Sequence, residues 1–145
     1  MKIESSAFGH KEPIPSKYTC EGEDSNPPLE IKNIPEGCKS LALIIDDPDA
    51  PGGSWIHWLV WNISPSSPNI EENSKPEGAI EGRNSFNKTS YGGPCPPGGT
   101  HNYWFKVYAL DEKMEMGPES DEKDLQKAME GHVIEKAELA GTYSR

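Results

Sequence analysis

Turn-forming residues divide the first two thirds of the chain into short segments, and this spacing constrains the fold more than any other feature. Prolines and glycines recur roughly every ten positions between residue 11 and about residue 100. Short apolar segments separated in this way are typical of an antiparallel β domain, either a sandwich or a barrel. The chain has 145 residues and no visible linker or repeat, so we predict a single domain over residues 1–145.

Apolar residues are concentrated between these turns, and this placement distinguishes the chain from a disordered one. Only 33% of the residues are hydrophobic and the formal net charge is −10, a balance that alone favours disorder. The apolar residues, including all four tryptophans, nevertheless form bounded runs. We predict buried strands at residues 40–46, 55–63 and 101–110, with a weaker candidate at 29–34. Within the second strand, a period of two predicts one face made of Trp55, His57, Leu59, Trp61 and Ile63.

The last fifth of the chain has a helical pattern instead. From Ser120, a suitable helix cap, apolar residues recur at intervals of three and four. We predict a peripheral helix near residues 121–138, although Gly131 weakens an uninterrupted one. Residues 111–138 hold 10 acidic residues against 4 lysines, so the negative charge is concentrated here. An apolar stripe of this kind packs on a core, and an acidic interaction tail is the alternative.

Charge, hydropathy and cysteine content restrict the partners and the compartment. The negative balance argues against nucleic acid as a partner, and no run of 18 apolar residues predicts a transmembrane segment. Residues 1–8 lack the apolar stretch of a secretory signal. The cysteines are odd in number and widely spaced, so we predict neither a CxxC motif nor a disulfide framework from Cys20, Cys38 and Cys95. A cytoplasmic location fits this interpretation.

Three segments place polar residues beside the apolar strands. Residues 46–53 follow a buried strand, and their carboxylates indicate either a simple turn or a site. His57 lies within an apolar strand, where a histidine is either a core residue with satisfied hydrogen bonds or a functional one. The Gly- and Pro-rich loop 92–99 leads into His101 and Tyr103. Such a loop brings backbone N–H groups close to an anion, and the two side chains add further donors.

Catalytic alternatives use some of the same residues. A hairpin of the first two strands would place Asp47 and His57 at one end of the sheet. Ser54 completes the residue types of a hydrolytic triad, but a serine three positions before a histidine on one strand points to the opposite face. A divalent metal would have as potential ligands Asp47, Asp49, His57 and His101. No supporting motif accompanies either set, and we predict no catalytic residue, no metal and no cofactor.

Together these motifs resemble the phosphatidylethanolamine-binding protein family, and in particular its short bacterial and archaeal branch, described as Raf-kinase-inhibitor-like. The resemblance runs from about residue 3 to the end of the sequence. It rests on Asp46-Asp47-Pro48-Asp49-Ala50-Pro51 with Trp55-Ile56-His57-Trp58, on the segments 14–22 and 26–29, on Tyr91 to Tyr103, and on Gly131 to Tyr143.

The resemblance implies a mainly β, antiparallel β-sandwich-like fold with one or two peripheral helices. It also implies a small rigid pocket for an anion or a phosphorylated group, such as phosphate or a phosphoethanolamine-like headgroup. Carried over by position, Asp49 and Pro51 brace the adjoining loop. The implied ligand-binding residues are Asp47, His57, Gly93, Pro94, Pro96, His101 and Tyr103.

Two departures limit what the resemblance implies. Asn102 follows the second pocket histidine where many members have arginine, which argues against strong phosphate affinity. The sequence ends at Arg145 without the additional helix of eukaryotic members, so kinase inhibition is not carried over from them. We therefore expect a cytoplasmic, non-enzymatic binding module. The alternative is a regulator or inhibitor of a protease or kinase that acts through protein–protein contact, and prokaryotic relatives lead us to expect a homodimer.

Overall fold

Antiparallel pairing of three long strands forms the centre of the molecule. The computed structural model describes residues 1–145. It contains one α-helix, α1 (Glu122–Met129), and a short 3₁₀ turn (Ser16–Tyr18). The eight strands are β1 (Lys2–Glu4), β2 (Glu12–Pro13), β3 (Glu30–Lys32), β4 (Ser40–Asp47), β5 (Trp55–Ile63), β6 (Ile80–Glu81), β7 (Thr100–Leu110) and β8 (Val133–Ser144).

A six-stranded sheet in the order β2-β8-β7-β4-β5-β6 is the main layer. Its neighbouring strands are antiparallel except for β2, which pairs with β8 in parallel. β1 and β3 form a separate antiparallel pair. The predicted strands at 40–46, 55–63 and 101–110 are confirmed as β4, β5 and β7, and the weaker candidate at 29–34 contains the shorter β3.

Each face of the main sheet packs against a different layer. On one face, β4, β5 and β7 join Ile3 of β1 and Ile31 of β3 in a core of 19 buried residues. On the other face, Leu125 and Met129 of α1 pack into a second core of 9 buried residues. Because β4 lies between the two layers, all eight of its residues are buried. This arrangement confirms the predicted mainly β, sandwich-like fold with a peripheral helix.

A β-bulge at His57 corrects the predicted alternation of β5. Trp58 and Ile56 pair with consecutive residues of β4, so His57 is an extra residue between them. Trp58 and Tyr103 belong to the first core, and the ring of His57 lies 5.2 Å from the ring of Tyr103. His57 and Trp58 therefore point to the same side of the sheet, whereas a strict period of two predicted opposite sides.

A second irregularity changes the far end of the same strand. The β4–β5 register shifts again near Asn62, whose φ of +58° is in the left-handed region. As a result Ile63 packs in the first core, while Leu59 and Trp61 pack in the second. The prediction that these three residues share a face was wrong because the bulges interrupt the pleat.

The predicted helix near residues 121–138 is correct only in its first half. Asp121, rather than Ser120, caps α1, and a reciprocal capping box joins it to Asp124. Gly131, with φ +79°, follows the end of the helix, and residues 133–144 then pair with β7 along its length. The second half instead forms β8, which supplies hydrogen-bond partners to β7. None of the helical segments has the length and hydropathy that a membrane-spanning helix requires.

A disulfide joins Cys20 to Cys95 and overturns the prediction that the cysteines form no disulfide. The two residues are 75 positions apart, but the fold brings their loops together, and the N–H of Cys20 donates to the carbonyl of Pro94 at 3.1 Å. Cys38 is a free thiol, so the three cysteines consist of one disulfide and one unpaired residue. The bridge also removes the argument for a reducing cytoplasm, because structural disulfides persist mainly in oxidising compartments.

Candidate functional site

A cavity of about 390 Å³ lies at the end of the main sheet where β4 ends and β5 and β7 begin. The antiparallel pairing of β4 with both neighbours brings these three strand ends together. The cavity is lined by Asp47, Ala50, Pro51, Trp55, His57, Phe86, Cys95, Pro96, Pro97, His101 and Tyr103.

Asp47, the last residue of β4, is buried and bonds two neighbours. Its Oδ2 accepts a hydrogen bond from Nδ1 of His101 at 2.6 Å, and its Oδ1 accepts one from the backbone N–H of Asp49 at 2.8 Å. Because the carboxylate accepts at Nδ1, Nε2 is the free nitrogen of the His101 ring. This nitrogen has no partner in the protein and is not sealed from solvent. It is therefore open to a ligand in the cavity.

His57 is held in a similar way but by a neutral partner. Its Nδ1 lies 2.7 Å from the carbonyl oxygen of Gly92. A carbonyl only accepts, so Nδ1 carries the proton and Nε2 is again the free nitrogen. Burial lowers the pKa of His57 below its ordinary value, against the smaller opposing effect of the Gly92 carbonyl. At neutral pH the Nε2 of this ring is therefore a hydrogen-bond acceptor.

Tyr103 lies on β7 next to both histidines. Its ring makes an edge contact with His57 at 5.2 Å and stacks on His101 at 6.4 Å. The hydroxyl is buried and receives no hydrogen bond of good geometry, although the backbone N–H of Cys95 lies close to it. Burial first, and then the carboxylates of Asp47 and Asp49, raise the pKa of Tyr103 well above its ordinary value. The hydroxyl thus stays protonated and has one unused donor.

The loop between Tyr91 and Thr100 contributes one wall through Cys95, Pro96 and Pro97. Two predicted residues of this loop, Gly93 and Pro94, are buried but do not line the cavity. The N–H of Gly93 donates to Oδ1 of Asp24 at 2.7 Å. A side chain at Gly93 would place its Cβ 2.3 Å from the carbonyl oxygen of Tyr18, so glycine is required for this close approach.

Asp49 and Pro51, the predicted bracing residues, differ in position. Asp49 does not line the cavity, and its Oδ2 accepts from the backbone N–H of Asn102 at 2.8 Å and from the Asn102 side chain at 3.0 Å. This contact joins the loop after β4 to β7 and turns Asn102 toward the loop. Pro51 lies in the cavity wall. Six of the predicted residues therefore lie together at one cavity. They are Asp47, Pro51, His57, Pro96, His101 and Tyr103.

Outside the loop 92–99, which holds Cys95 and Pro97, three lining residues were not predicted from the sequence: Ala50, Trp55 and Phe86. The ring of Phe86 packs edge-on against His57 at 5.4 Å and against Trp55 at 5.5 Å. Asn84 holds this turn, since its side-chain amide donates to the carbonyl of His57 at 3.1 Å and its Oδ1 accepts from the N–H of Phe86 at 3.0 Å. No periodicity marks such a turn, so only the fold reveals it.

The possible hydrolytic triad does not assemble at this cavity. Ser54 lines a separate depression beside Asp46 and the start of α1, on the helix side of the sheet, and so lies apart from His57. No group of three or more acidic, histidine or cysteine side chains has the arrangement of a metal site.

Comparisons with known proteins agree with this fold. The family model described as phosphatidylethanolamine-binding protein matches residues 4–144. A UPF0098 protein of Pyrococcus horikoshii is 52% identical over 149 residues, which cover 97% of this chain and 75% of the relative. The crystal structure of a putative phosphatidylethanolamine-binding protein homologue from Chlamydia trachomatis superposes with a TM-score of 0.95 at 41% identity, covering 99% and 97% of the two chains. YbcL of Escherichia coli, described as a new member of the mammalian family, gives a TM-score of 0.93 at 32% identity, with 99% and 98% covered.

Proposed function

The chain belongs to the phosphatidylethanolamine-binding protein family, and from this premise we propose that its cavity binds a small oxyanion or phosphorylated group without a chemical step. The ligand class is inorganic phosphate or a phosphate monoester such as a phosphoethanolamine-like headgroup. One observation carries the proposal. His57 and His101 each have Nδ1 engaged by the protein, and each leaves Nε2 unpaired at the same cavity.

The two histidines have complementary hydrogen-bonding roles in this proposal. His101, backed by the carboxylate of Asp47, donates from both ring nitrogens when it carries two protons. His57, whose pKa burial lowers, accepts at Nε2. Tyr103 lines the cavity and has an unused donor, although its hydroxyl is sealed from solvent. A ligand that has both oxygen acceptors and one O–H donor satisfies this set, and the protonated forms of phosphate have both.

The expected affinity is modest. The cavity wall contains no lysine or arginine, and it contains the carboxylate of Asp47. Asn102 bonds to Asp49 and supplies no cation. Without a bidentate guanidinium, phosphate is held by neutral donors and at most one imidazolium. We therefore expect dissociation constants on the order of millimolar, which correspond to about 4 kcal/mol of binding free energy.

Titration followed by NMR of the histidine rings tests the proposal. Phosphate and phosphoethanolamine added up to roughly ten times a millimolar dissociation constant should shift the ring signals of His57 and His101 saturably. His10 and His132 lie outside the cavity and serve as internal controls. Saturable shifts confined to His57 and His101 support the proposal. Equal or absent shifts at all four histidines overturn it.

Recovery of the ligand tests the absence of a chemical step. The separation of Ser54 from His57 supports binding without hydrolysis, since the serine of the possible triad does not lie beside its base. Phosphoethanolamine incubated with the protein should be recovered intact, with no inorganic phosphate released above the buffer rate. Release that disappears in the His57→Gln variant would instead establish an enzyme.

The second candidate function is regulation of a protease or kinase through protein contact. It draws on Trp55 and Phe86, which are 39% and 37% exposed at the cavity mouth with their rings 5.5 Å apart. Exposed aromatic pairs of this kind dominate many interfaces. Inhibition of a protease or kinase that Trp55→Ala weakens at least about tenfold, with Val133→Ala as an exposed apolar control, would favour this candidate.

A further inference from the structure

The disulfide ties the wall of the cavity between residues 95 and 98 to the rest of the fold. Residues 95–98 make no backbone–backbone hydrogen bond, and Pro96 and Pro97 have no N–H to donate. The nearest backbone anchors lie on either side. The carbonyl of Pro94 accepts from Cys20, and Gly99 exchanges two hydrogen bonds with Arg145, at 2.9 and 3.1 Å. Between these anchors, the Cys20–Cys95 bridge is the one covalent tie to the rest of the fold.

The bridge is also accessible and lies beside a positive charge. Cys20 and Cys95 are both exposed. Nη1 of Arg145 lies 3.2 Å from Sγ of Cys95 and 3.6 Å from Sγ of Cys20. A guanidinium at this distance stabilises a thiolate, and a more stable thiolate is a better leaving group in disulfide exchange. The shorter distance favours Cys95 as the sulfur that leaves.

We propose that the Cys20–Cys95 bridge is a thiol–disulfide exchange site, and that its reduction by a dithiol releases the wall of the cavity. The effect on ligand affinity rests on the proposed function, whereas the release of the wall does not. Cys95 itself lines the cavity beside Pro96 and Pro97, so the redox state of one bond decides whether this wall is fixed.

The exchange balances with a dithiol as the two-electron reductant. One thiolate of the dithiol attacks Sγ of Cys20, the bond between the two cysteines breaks, and Cys95 leaves as a thiolate beside Arg145. The second thiol of the dithiol loses its proton and attacks its own partner sulfur in the mixed disulfide, which releases Cys20. The dithiol becomes a cyclic disulfide, and the protein gains two electrons and two protons.

Amide hydrogen exchange of the native protein, oxidised and then reduced with dithiothreitol, tests the release directly. The amides of Cys20 and Gly99 donate the two bonds that flank the wall. Hydrogen exchange at these two amides should accelerate at least about tenfold on reduction. The disulfide restrains local opening of the segment 95–98, and this restraint is absent in the reduced protein. The amide of Leu125 in α1 is the control and should not change. Unchanged exchange at Cys20 and Gly99 in the reduced protein overturns the proposal, whatever the phosphate results.

Phosphate titration of the same two samples separates this proposal from the proposed function. Reduction should raise the dissociation constant for phosphate at least about fivefold, because a preorganised wall is lost. Accelerated exchange with equal phosphate affinity in the two redox states overturns control of the cavity by the bridge. Accelerated exchange in a protein that binds no phosphate in either state supports the release of the wall and overturns the proposed function alone.

The role of Arg145 is tested by the rate of reduction. Arg145→Gln keeps the backbone pairing with Gly99 but removes the guanidinium from both sulfurs. Reduction by dithiothreitol at neutral pH should slow by about three- to tenfold. Arg83→Gln removes the other arginine of the chain and should leave the rate unchanged, and Cys38→Ser in every sample removes the third thiol. Equal rates of reduction for the two arginine variants would show that Arg145 does not stabilise the Cys95 thiolate as a leaving group, and would overturn this step.

Discussion

Nδ1 of His101 donates to Oδ2 of Asp47 at 2.6 Å across the junction of β7 and β4, with both side chains buried. His57 of β5 donates to a backbone carbonyl instead. The cavity therefore contains two imidazoles with differently charged partners. One can donate to a ligand while paired to a carboxylate, and the other, being neutral, can accept. A ligand that meets both rings must carry an acceptor and a donor together.

This asymmetry predicts discrimination between phosphate and sulfate. At pH 7 phosphate retains an O–H that can donate to Nε2 of His57, whereas sulfate has only acceptors and would leave that nitrogen unpaired. An unmade hydrogen bond at a buried acceptor costs about 1–3 kcal/mol, so phosphate should bind at least about fivefold more tightly than sulfate. Competition between the two ions, followed by the His57 ring signals, measures the ratio. Equal affinities would contradict the acceptor role of His57.

The lowered pKa of His57 predicts a pH-dependent stability. In the unfolded chain this ring titrates near 6.5, whereas burial keeps it neutral to lower pH in the folded protein. Below about pH 6.5 the unfolded state therefore binds the proton first, and the free energy of unfolding falls by up to about 1.4 kcal/mol per pH unit until the folded pKa is reached. Urea unfolding between pH 5 and pH 8 measures this slope.

His57→Gln is the control for that slope, because it removes the titrating ring and leaves the other ionisable groups in place. The difference in unfolding free energy between the wild type and the variant should shrink as the pH falls below 6.5. A constant difference across this range would mean that burial does not lower the pKa of His57.

The strands and the composition of the cavity could be predicted because their signals are local. Turn spacing and apolar runs locate β4, β5 and β7, and their pairing brings Asp47, His57 and His101 to one end of the sheet. The extra residue in β5 could not be predicted, since a bulge is decided by the register between strands rather than by the order of residues in one of them. Without the bulge, alternation would turn His57 away from Trp58.

The disulfide and the last strand were hidden for a related reason. Cys20 and Cys95 are 75 positions apart in the sequence and come together only in the folded protein, so no short spacing indicates that they pair. Residues 133–138 carry apolar residues at positions that fit both a helix and a strand. Gly131, with its left-handed backbone conformation, follows the helix, and pairing with β7 then stabilises these residues as a strand. In both places a long-range contact overrides the local pattern.

Two glycines of the cavity loop are predicted to differ sharply on substitution by alanine. A Cβ at Gly93 would meet the Tyr18 carbonyl oxygen at 2.3 Å and Oδ1 of Asp24 at 2.6 Å. Gly93→Ala should therefore displace the loop and lower the free energy of unfolding by about 1–3 kcal/mol. At Gly98 a Cβ would meet nothing within 4 Å, so Gly98→Ala should stay within about 0.5 kcal/mol of the wild type. Similar losses in the two variants, measured by urea unfolding, would contradict the close packing at Gly93.

Removal of the Tyr103 hydroxyl is predicted to improve stability and impair binding. No hydrogen bond of good geometry reaches the buried hydroxyl, so Tyr103→Phe should raise the free energy of unfolding by about 1 kcal/mol. Loss of the donor should weaken phosphate binding by about tenfold. Tyr91→Phe is the matched control, because its hydroxyl donates to the Tyr18 carbonyl at 2.8 Å, and its loss should lower stability by about 1 kcal/mol. Urea unfolding and phosphate titration of both variants measure these effects. If Tyr103→Phe lowers stability and leaves phosphate affinity unchanged, Tyr103 is a structural residue. If the hydroxyl is instead a donor for the ligand, the variant should have a higher free energy of unfolding and a lower affinity for phosphate.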